Sequence, residues 1–192
     1  DTLKRVSLEL GGKGANIIFA DARAEAVTDG VRHCFGNTGQ SCNAPTRMFV
    51  ERPRYDEAVA QAKAAAEATK VAPASEDGRH IGPLVSQMQF DKVQGLIETG
   101  INEGATLLAG GAGRPDGLNR GYYARPTVFT DVTPEMTIYK EEIFGPVLCL
   151  MPFDNEDDVI DMANDTPYGL TNYVQTEDTE KRRRVARRLR SG

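Results

Sequence analysis

Two short stretches of the sequence carry side chains that can do covalent chemistry. Glu9 opens a Glu-Leu-Gly-Gly-Lys stretch, and Cys42 closes a Gly-Gln-Ser-Cys stretch about one helix length further on. A thiol can attack an electron-poor carbon, and a carboxylate can later activate the water that releases the product. Glycine beside each group lets the backbone approach a ligand closely or adopt angles that a Cβ atom forbids. Either stretch alone is weak evidence, but together they offer Cys42 as a candidate nucleophile and Glu9 as a candidate general base.

Three further stretches follow the cysteine along the chain. They are Gly-Tyr-Tyr-Ala-Arg-Pro-Thr-Val at 121–128, Glu-Glu-Ile-Phe-Gly-Pro-Val at 141–147 and Asn-Asp-Thr-Pro-Tyr-Gly-Leu at 164–170. In content and in order, the five stretches strongly resemble the signatures of the NAD(P)-dependent aldehyde dehydrogenases. The resemblance covers essentially all 192 residues.

The resemblance implies a reaction and a role for each residue. Cys42 attacks an aldehyde to give a thiohemiacetal, whose oxyanion takes a hydrogen bond from the Cys42 backbone N–H. Hydride passes to the nicotinamide of NAD or NADP, and Glu9 activates the water that hydrolyses the remaining thioester. Glu142 binds ribose hydroxyls, and Phe144 packs beside the nicotinamide. The implied parent enzyme is a homodimer or homotetramer that oxidises an aldehyde to a carboxylic acid.

Each of these residues also has a plainer interpretation. Cys42 can be an inert thiol, although its polar loop argues against this, and Cys34 and Cys149 lie in apolar patterns typical of core residues. Glu9 can be a strand-end carboxylate that accepts backbone hydrogen bonds. By spacing alone Glu141 competes for the ribose, and only the motif selects Glu142.

The remaining alternatives are one plainer interpretation of Phe144 and three weaker functional ones. Phe144 can be an ordinary core aromatic residue. The glycines at 11–14 fit neither the P-loop nor the dinucleotide fingerprint, so no phosphate role is predicted there. His33 and His80 can be paired with Cys42 as in a cysteine hydrolase, but neither lies in a hydrolase signature, and the three cysteines and two histidines lack metal-ligand spacing.

Composition limits the possible partners. The formal net charge is −5, which argues against nucleic-acid binding. Seven basic residues lie within 181–190, but acidic residues open that segment, which is the arrangement that complements a helix dipole. No apolar run approaches the roughly 18 residues of a membrane span. Odd, irregularly spaced cysteines and the lack of a leader predict a reducing cytoplasm.

Alternating strand and helix patterns predict an α/β fold, a mostly parallel sheet with helices on both faces, as in the catalytic domain of the resembled family. The expected strands are 16–20, 46–51, 106–109, 127–132, 147–151 and 171–176, with a strand-like run at 6–10. The expected helices are 24–36, 53–69, 86–104, 155–163 and 177–190, the third opened by a Ser86 capping box with Gln89.

The resemblance also implies a domain division. Residues 1–13 are expected to be the end of the cofactor-binding domain, or a hinge, that carries the general base. Residues 14–192 are then the catalytic domain, without the C-terminal part of the parent. The isolated chain is expected to be inactive. Two rival functions remain: a non-catalytic assembly or binding module that retains the fold, and an aldehyde dehydrogenase that acylates coenzyme A, whose family branch usually lacks the glutamate found at Glu9.

Overall fold

The computed structural model describes residues 3–191. Its strands are β1 (Ala15–Ile18), β2 (Arg47–Glu51), β3 (Thr106–Ala109), β4 (Thr127–Thr130), β5 (Val147–Phe153) and β6 (Tyr173–Gln175). Its α-helices are α1 (Ala26–Phe35), α2 (Tyr55–Glu67), α3 (Gln87–Asn102), α4 (Thr137–Lys140), α5 (Glu156–Asn164) and α6 (Thr179–Ala186).

The strands form one sheet in the order β3-β4-β5-β2-β1-β6. All neighbouring pairs are parallel except β3 with β4, which is antiparallel. Strand β5 lies in the interior of the sheet and is buried along nearly its whole length, which explains why its sequence is apolar on both faces. The predicted α/β architecture with a mostly parallel sheet is confirmed.

Helices cover both faces of this sheet. Alternate residues of the strands pack on one side against the apolar faces of α1 and α2, where Val31 and Ala62 are fully buried. On the other side they pack against α3, α4, α5 and α6, where Val93 and Val159 are fully buried. The two apolar clusters fix the sheet as the rigid layer from which the loops at its edges project.

The ends of the helices follow local chemistry. The Ser86 side chain accepts a hydrogen bond from the Gln89 N–H at 3.2 Å, as the capping box predicts. Asp178 caps α6 by accepting from the N–H groups of Glu180 and Lys181, so this helix begins at Thr179 rather than at 177. It also ends four residues before the predicted 190. A 3-10 turn, Arg52–Arg54, precedes α2 where Pro53 was expected to open the helix.

One sequence expectation is wrong, and one short helix was missed. The strand-like run at 6–10 is irregular and exposed in the structure, and within residues 3–191 no strand pairs with it. Alternating apolar residues are not sufficient for a strand when no neighbour completes its hydrogen bonds. The short helix α4 was not predicted, because four residues are too few to show helical periodicity.

Candidate active site

The candidate site lies at the edge where the parallel strands begin. Segments 9–14, 40–46, 142–146 and 170–172 lead into β1, β2, β5 and β6, respectively. Because these strands are mutually parallel, their amino ends meet at one edge of the sheet. The topology therefore brings together four segments that are up to about 160 residues apart in the sequence.

An open cleft of about 660 Å³ lies between these segments. Its lining includes all four residues that the sequence nominates, and the full set is Glu9, Leu10, Gly11, Gln40, Ser41, Cys42, Asn43, Glu142, Phe144, Leu170 and Thr171. Glu141, the competing carboxylate, is exposed and does not line the cleft. Leu170 and Thr171 were not singled out from the sequence, although the last resembled stretch ends at Leu170.

Cys42 is half-buried and faces the cleft. Within residues 3–191 its backbone N–H has no hydrogen-bond partner, so it is free to donate to an oxygen atom beside the sulfur. The chain reaches Cys42 through a tight turn in which Asn37 and Thr38 have φ of 50° and 58°. Gly39 ends the turn with φ of 71°, and a Cβ atom there would lie 2.0 Å from the Gly145 carbonyl oxygen. Only glycine allows the cysteine loop to pack against the Glu142-bearing loop this closely.

The other two cysteines are core residues, as predicted. Cys34 and Cys149 are fully buried, on opposite faces of the sheet. Burial raises the pKa of both thiols, which keeps them protonated and unreactive. Their sulfur atoms lie near the carbonyl oxygens of Val147 and Ile138 at 3.7 and 3.5 Å.

Glu9 lines the cleft but is exposed to solvent on its side chain. In the described part of the chain its carboxylate makes no hydrogen bond, so the strand-end capping interpretation has no contact to support it.

Glu142 is tied to the glycine segment that follows Glu9. Its Oε1 atom accepts a hydrogen bond from the Gly12 N–H at 2.8 Å. A Cβ atom on Gly11 would lie 2.6 Å from Glu142 Oε2, and one on Gly12 would lie 2.2 Å from the Cys42 carbonyl oxygen. The two glycines thus form the contact point between the segments that carry Glu9, Cys42 and Glu142.

Phe144 is half-buried and faces the cleft rather than the core. Its φ is 56°, a left-handed conformation that is costly for a bulky residue and therefore needs support from its surroundings. The Gln89 side-chain amide supplies part of this support by donating to the carbonyl oxygens of Ile143 and Phe144 at 3.0 and 2.9 Å. Gln89, whose backbone N–H is bonded to Ser86, thus also holds the Phe144 loop through its side chain.

Two buried basic residues behind the cleft were missed at the sequence level. Arg47 is fully buried, and it donates to the carbonyl oxygens of Lys13, Met162 and Ala163 at 3.0, 2.9 and 2.8 Å. Its guanidinium also lies 5.2 Å from the centre of the Tyr139 ring. Burial lowers the pKa of Lys13 to about 8, and in the described part of the chain its Nζ has no hydrogen-bond partner. For Arg47, the sequence did offer one signal: a single charged residue at the start of an otherwise apolar strand indicates a buried, paired side chain.

The remaining interpretations find little support. Neither His33 nor His80 lines the cleft, and the His33 ring packs edge-on against Tyr173. Among residues 3–191 no group of three potential metal ligands is found. In the same range, every helix is too short or too polar to cross a lipid bilayer.

Comparison with known proteins agrees with this architecture. The sequence profile of the aldehyde dehydrogenase family matches residues 1–192, so the chain belongs to that family. It is 52% identical over its whole length to a 3-succinoylsemialdehyde-pyridine dehydrogenase of a Pseudomonas species. The chain spans about 40% of the length of that relative.

Solved structures of the family show the same fold. An aldehyde dehydrogenase from Bartonella henselae superposes with a TM-score of 0.97 at 63% identity, and the match covers 99% of this chain and 40% of that one. Aldehyde dehydrogenase C from Pseudomonas syringae, a cysteine-to-alanine mutant in complex with NAD+ and octanal, superposes with a TM-score of 0.95 at 48% identity. That match covers 99% of this chain and 39% of the other.

Proposed function

We propose that this chain is the catalytic part of an enzyme that oxidises an aldehyde to a carboxylic acid with NAD or NADP. The observation that carries the proposal is the convergence of Cys42, Glu9, Glu142 and Phe144 on one cleft. A thiol, a carboxylate suited to activate water, and a carboxylate suited to a ribose diol are the three groups that this reaction needs.

The residues of the chain divide the work between two stages. In the first, the Cys42 sulfur adds to the aldehyde carbon, and the unpartnered Cys42 N–H stabilises the oxyanion of the thiohemiacetal. NAD or NADP, when bound with its ribose at Glu142 and its ring beside Phe144, supplies the hydride acceptor. In the second stage, Glu9 takes a proton from a water molecule that attacks the thioester and releases the acid from Cys42.

The relatives support the cofactor and the substrate class. The Pseudomonas syringae enzyme holds NAD+ and octanal together in its cysteine-to-alanine mutant, which is the result expected when a cysteine is the group that would otherwise react with the aldehyde. The relative from the Pseudomonas species is named for a semialdehyde. We extend aldehyde oxidation, but neither particular aldehyde, to this chain.

The same proposal assigns residues 1–13 to the end of the cofactor-binding domain and residues 14–192 to the catalytic domain, within a cytoplasmic homodimer or homotetramer. Among residues 3–191, Glu142 and Phe144 are the two that we assign to the cofactor. We expect the isolated chain to show no aldehyde oxidation and to bind NAD no more tightly than about 1 mM, or roughly −4.1 kcal/mol. Titration calorimetry tests this, and micromolar binding would contradict it.

The decisive experiment is a chimera in which this chain replaces the matching segment of the Bartonella henselae enzyme, to which it is 63% identical. The chimera should reduce NAD with an aldehyde. Cys42→Ala should abolish reduction, whereas Cys34→Ala, which changes a core thiol, should keep it. Glu9→Gln should keep a first burst of reduced cofactor and slow the turnover that follows, because water activation comes after hydride transfer.

Other outcomes would select the rival functions. A folded chimera that binds NAD without any burst would favour a non-catalytic module. Turnover that requires coenzyme A and does not depend on Glu9 would favour acyl transfer. Loss of the burst itself in Glu9→Gln would show that Glu9 also activates the thiol.

A further inference from the structure

The Glu142 carboxylate is already engaged with protein backbone. Its Oε1 atom accepts from the Gly12 N–H at 2.8 Å, across 130 positions of sequence. Its Oε2 atom lies against Gly11, where a Cβ atom would come within 2.6 Å. A hydrogen bond from a backbone N–H to a partly buried carboxylate is charge-assisted, and it is stronger than one between neutral groups.

The segment that donates this hydrogen bond, residues 9–12, has few other contacts near Glu9. Gly12 is pressed on its other side against the Cys42 carbonyl oxygen, where a Cβ atom would lie 2.2 Å away. Glu9 lies three positions upstream of Gly12, and its side chain is exposed and makes no hydrogen bond within residues 3–191. The Gly12 anchor is therefore the nearest fixed point from which the position of Glu9 is determined.

A carboxylate has enough acceptor sites to serve this anchor and a sugar together. Its two oxygens offer about four lone-pair directions, of which the Gly12 N–H uses one. A ribose hydroxyl can therefore bind without displacing the backbone. The contact also fixes the orientation of the carboxylate, and a carboxylate held in one orientation loses less freedom when it binds a diol.

We propose that Glu142 is a positioning residue for the base-bearing segment, residues 9–12, in addition to its role as ribose ligand. The inference rests on the proposed function for the roles of Glu9 and the ribose, but the Gly12 anchor itself does not. The position of Glu9, the proposed general base, thus depends on the loop that carries Glu142.

The anchor is tested on the chain itself, without cofactor or substrate, by NMR of protein labelled with 15N at glycine and leucine. Hydrogen exchange of the Gly12 amide should accelerate about tenfold or more in Glu142→Ala, which removes the acceptor. Glu142→Gln keeps an oxygen in place and should restore most of the protection. Glu141→Ala, the exposed neighbour, should leave the exchange at its original rate.

Two internal measurements separate positioning from loss of stability. The Gly36 N–H, which bonds to carbonyls at the end of α1, should exchange at the same rate in every variant. Backbone order parameters of residues 10–12 should fall from the rigid range near 0.85 toward about 0.6 in Glu142→Ala and recover in Glu142→Gln.

The proposal is overturned if Gly12 exchange and the order parameters are unchanged in Glu142→Ala, if Glu142→Gln gives no recovery, or if Gly36 accelerates in parallel with Gly12. Because no cofactor takes part, these outcomes are independent of the chimera. An inactive chimera with a protected Gly12 amide would reject the enzymatic function and leave the anchor in place.

Discussion

Replacing Arg47 by Met should destabilise the chain more than any comparable change at a surface arginine. The guanidinium donates to three carbonyl oxygens, those of Lys13, Met162 and Ala163. In Arg47→Met, the Met162 carbonyl oxygen still accepts a hydrogen bond from the Tyr139 hydroxyl at 2.8 Å. The carbonyls of Lys13 and Ala163 lose this partner in a buried region.

The magnitude follows from that count. Each buried carbonyl that loses its partner costs about 1–3 kcal/mol, which gives roughly 2–6 kcal/mol for two. Removing a buried cation recovers part of this, because desolvation already lowers the pKa of Arg47. We therefore expect the free energy of unfolding to fall by about 3 kcal/mol. Urea denaturation should show a midpoint about 1–3 M lower, since urea m-values are near 1–3 kcal/mol/M.

Arg52→Met is the matched control. Arg52 is exposed and pairs with Asp154 at the surface, so its loss should cost less than about 1 kcal/mol. The reasoning is refuted if Arg47→Met costs no more than Arg52→Met, because the three carbonyl contacts would then contribute nothing that solvent does not replace.

Two further predictions concern the segment before β1 and are also measured by urea denaturation. Gly12→Ala should destabilise the chain, because its Cβ atom would lie 2.2 Å from the Cys42 carbonyl oxygen. Gly95→Ala is the control: it lies in open space on α3 and should stabilise the chain by about 0.5–1 kcal/mol. Equal effects of the two changes would contradict the close-contact argument. Lys13→Met should be more stable than the original chain at pH 7, by up to about 3 kcal/mol for a pKa lowered from 10.5 to about 8. That advantage should shrink as pH rises from 8 to 10.5, because the folded chain releases the Lys13 proton before the unfolded chain does; a constant difference across this range would show that Lys13 is solvated.

The sequence was sufficient to predict those parts of the fold and site that depend on local patterns. The α/β architecture follows from alternating periodicities, and four nominated residues share one cleft because their motifs each precede a strand of the same parallel sheet. The expectation for Cys34 and Cys149 also succeeded, because an apolar pattern is itself a statement about burial.

Features that depend on long-range contacts were not predictable in this way. The run at 6–10 has the alternation of a strand, but pairing is decided by neighbours, and none is present within residues 3–191. Arg47 carries a charge, and sequence alone does not reveal that carbonyls at the end of α5 will satisfy it. The contact between Glu142 and Gly12 joins residues 130 positions apart, so no local signal could indicate it.

The direction of the strands has a consequence for how strongly the site attracts the oxidised and the reduced form of the proposed cofactor. Helices α1 and α5 both end near the edge where the parallel strands begin, and helix C-termini carry partial negative charge. Glu9 and Glu142 add carboxylates to the cleft, and among its lining residues in the described chain there is no lysine or arginine. In the proposed function, these negative groups attract the cationic nicotinamide ring of the oxidised cofactor, while the buried cations of Lys13 and Arg47 behind the cleft oppose part of that attraction. On the proposed function, hydride transfer neutralises that ring and removes this attraction, so the edge is expected to hold the reduced cofactor less tightly than the oxidised one.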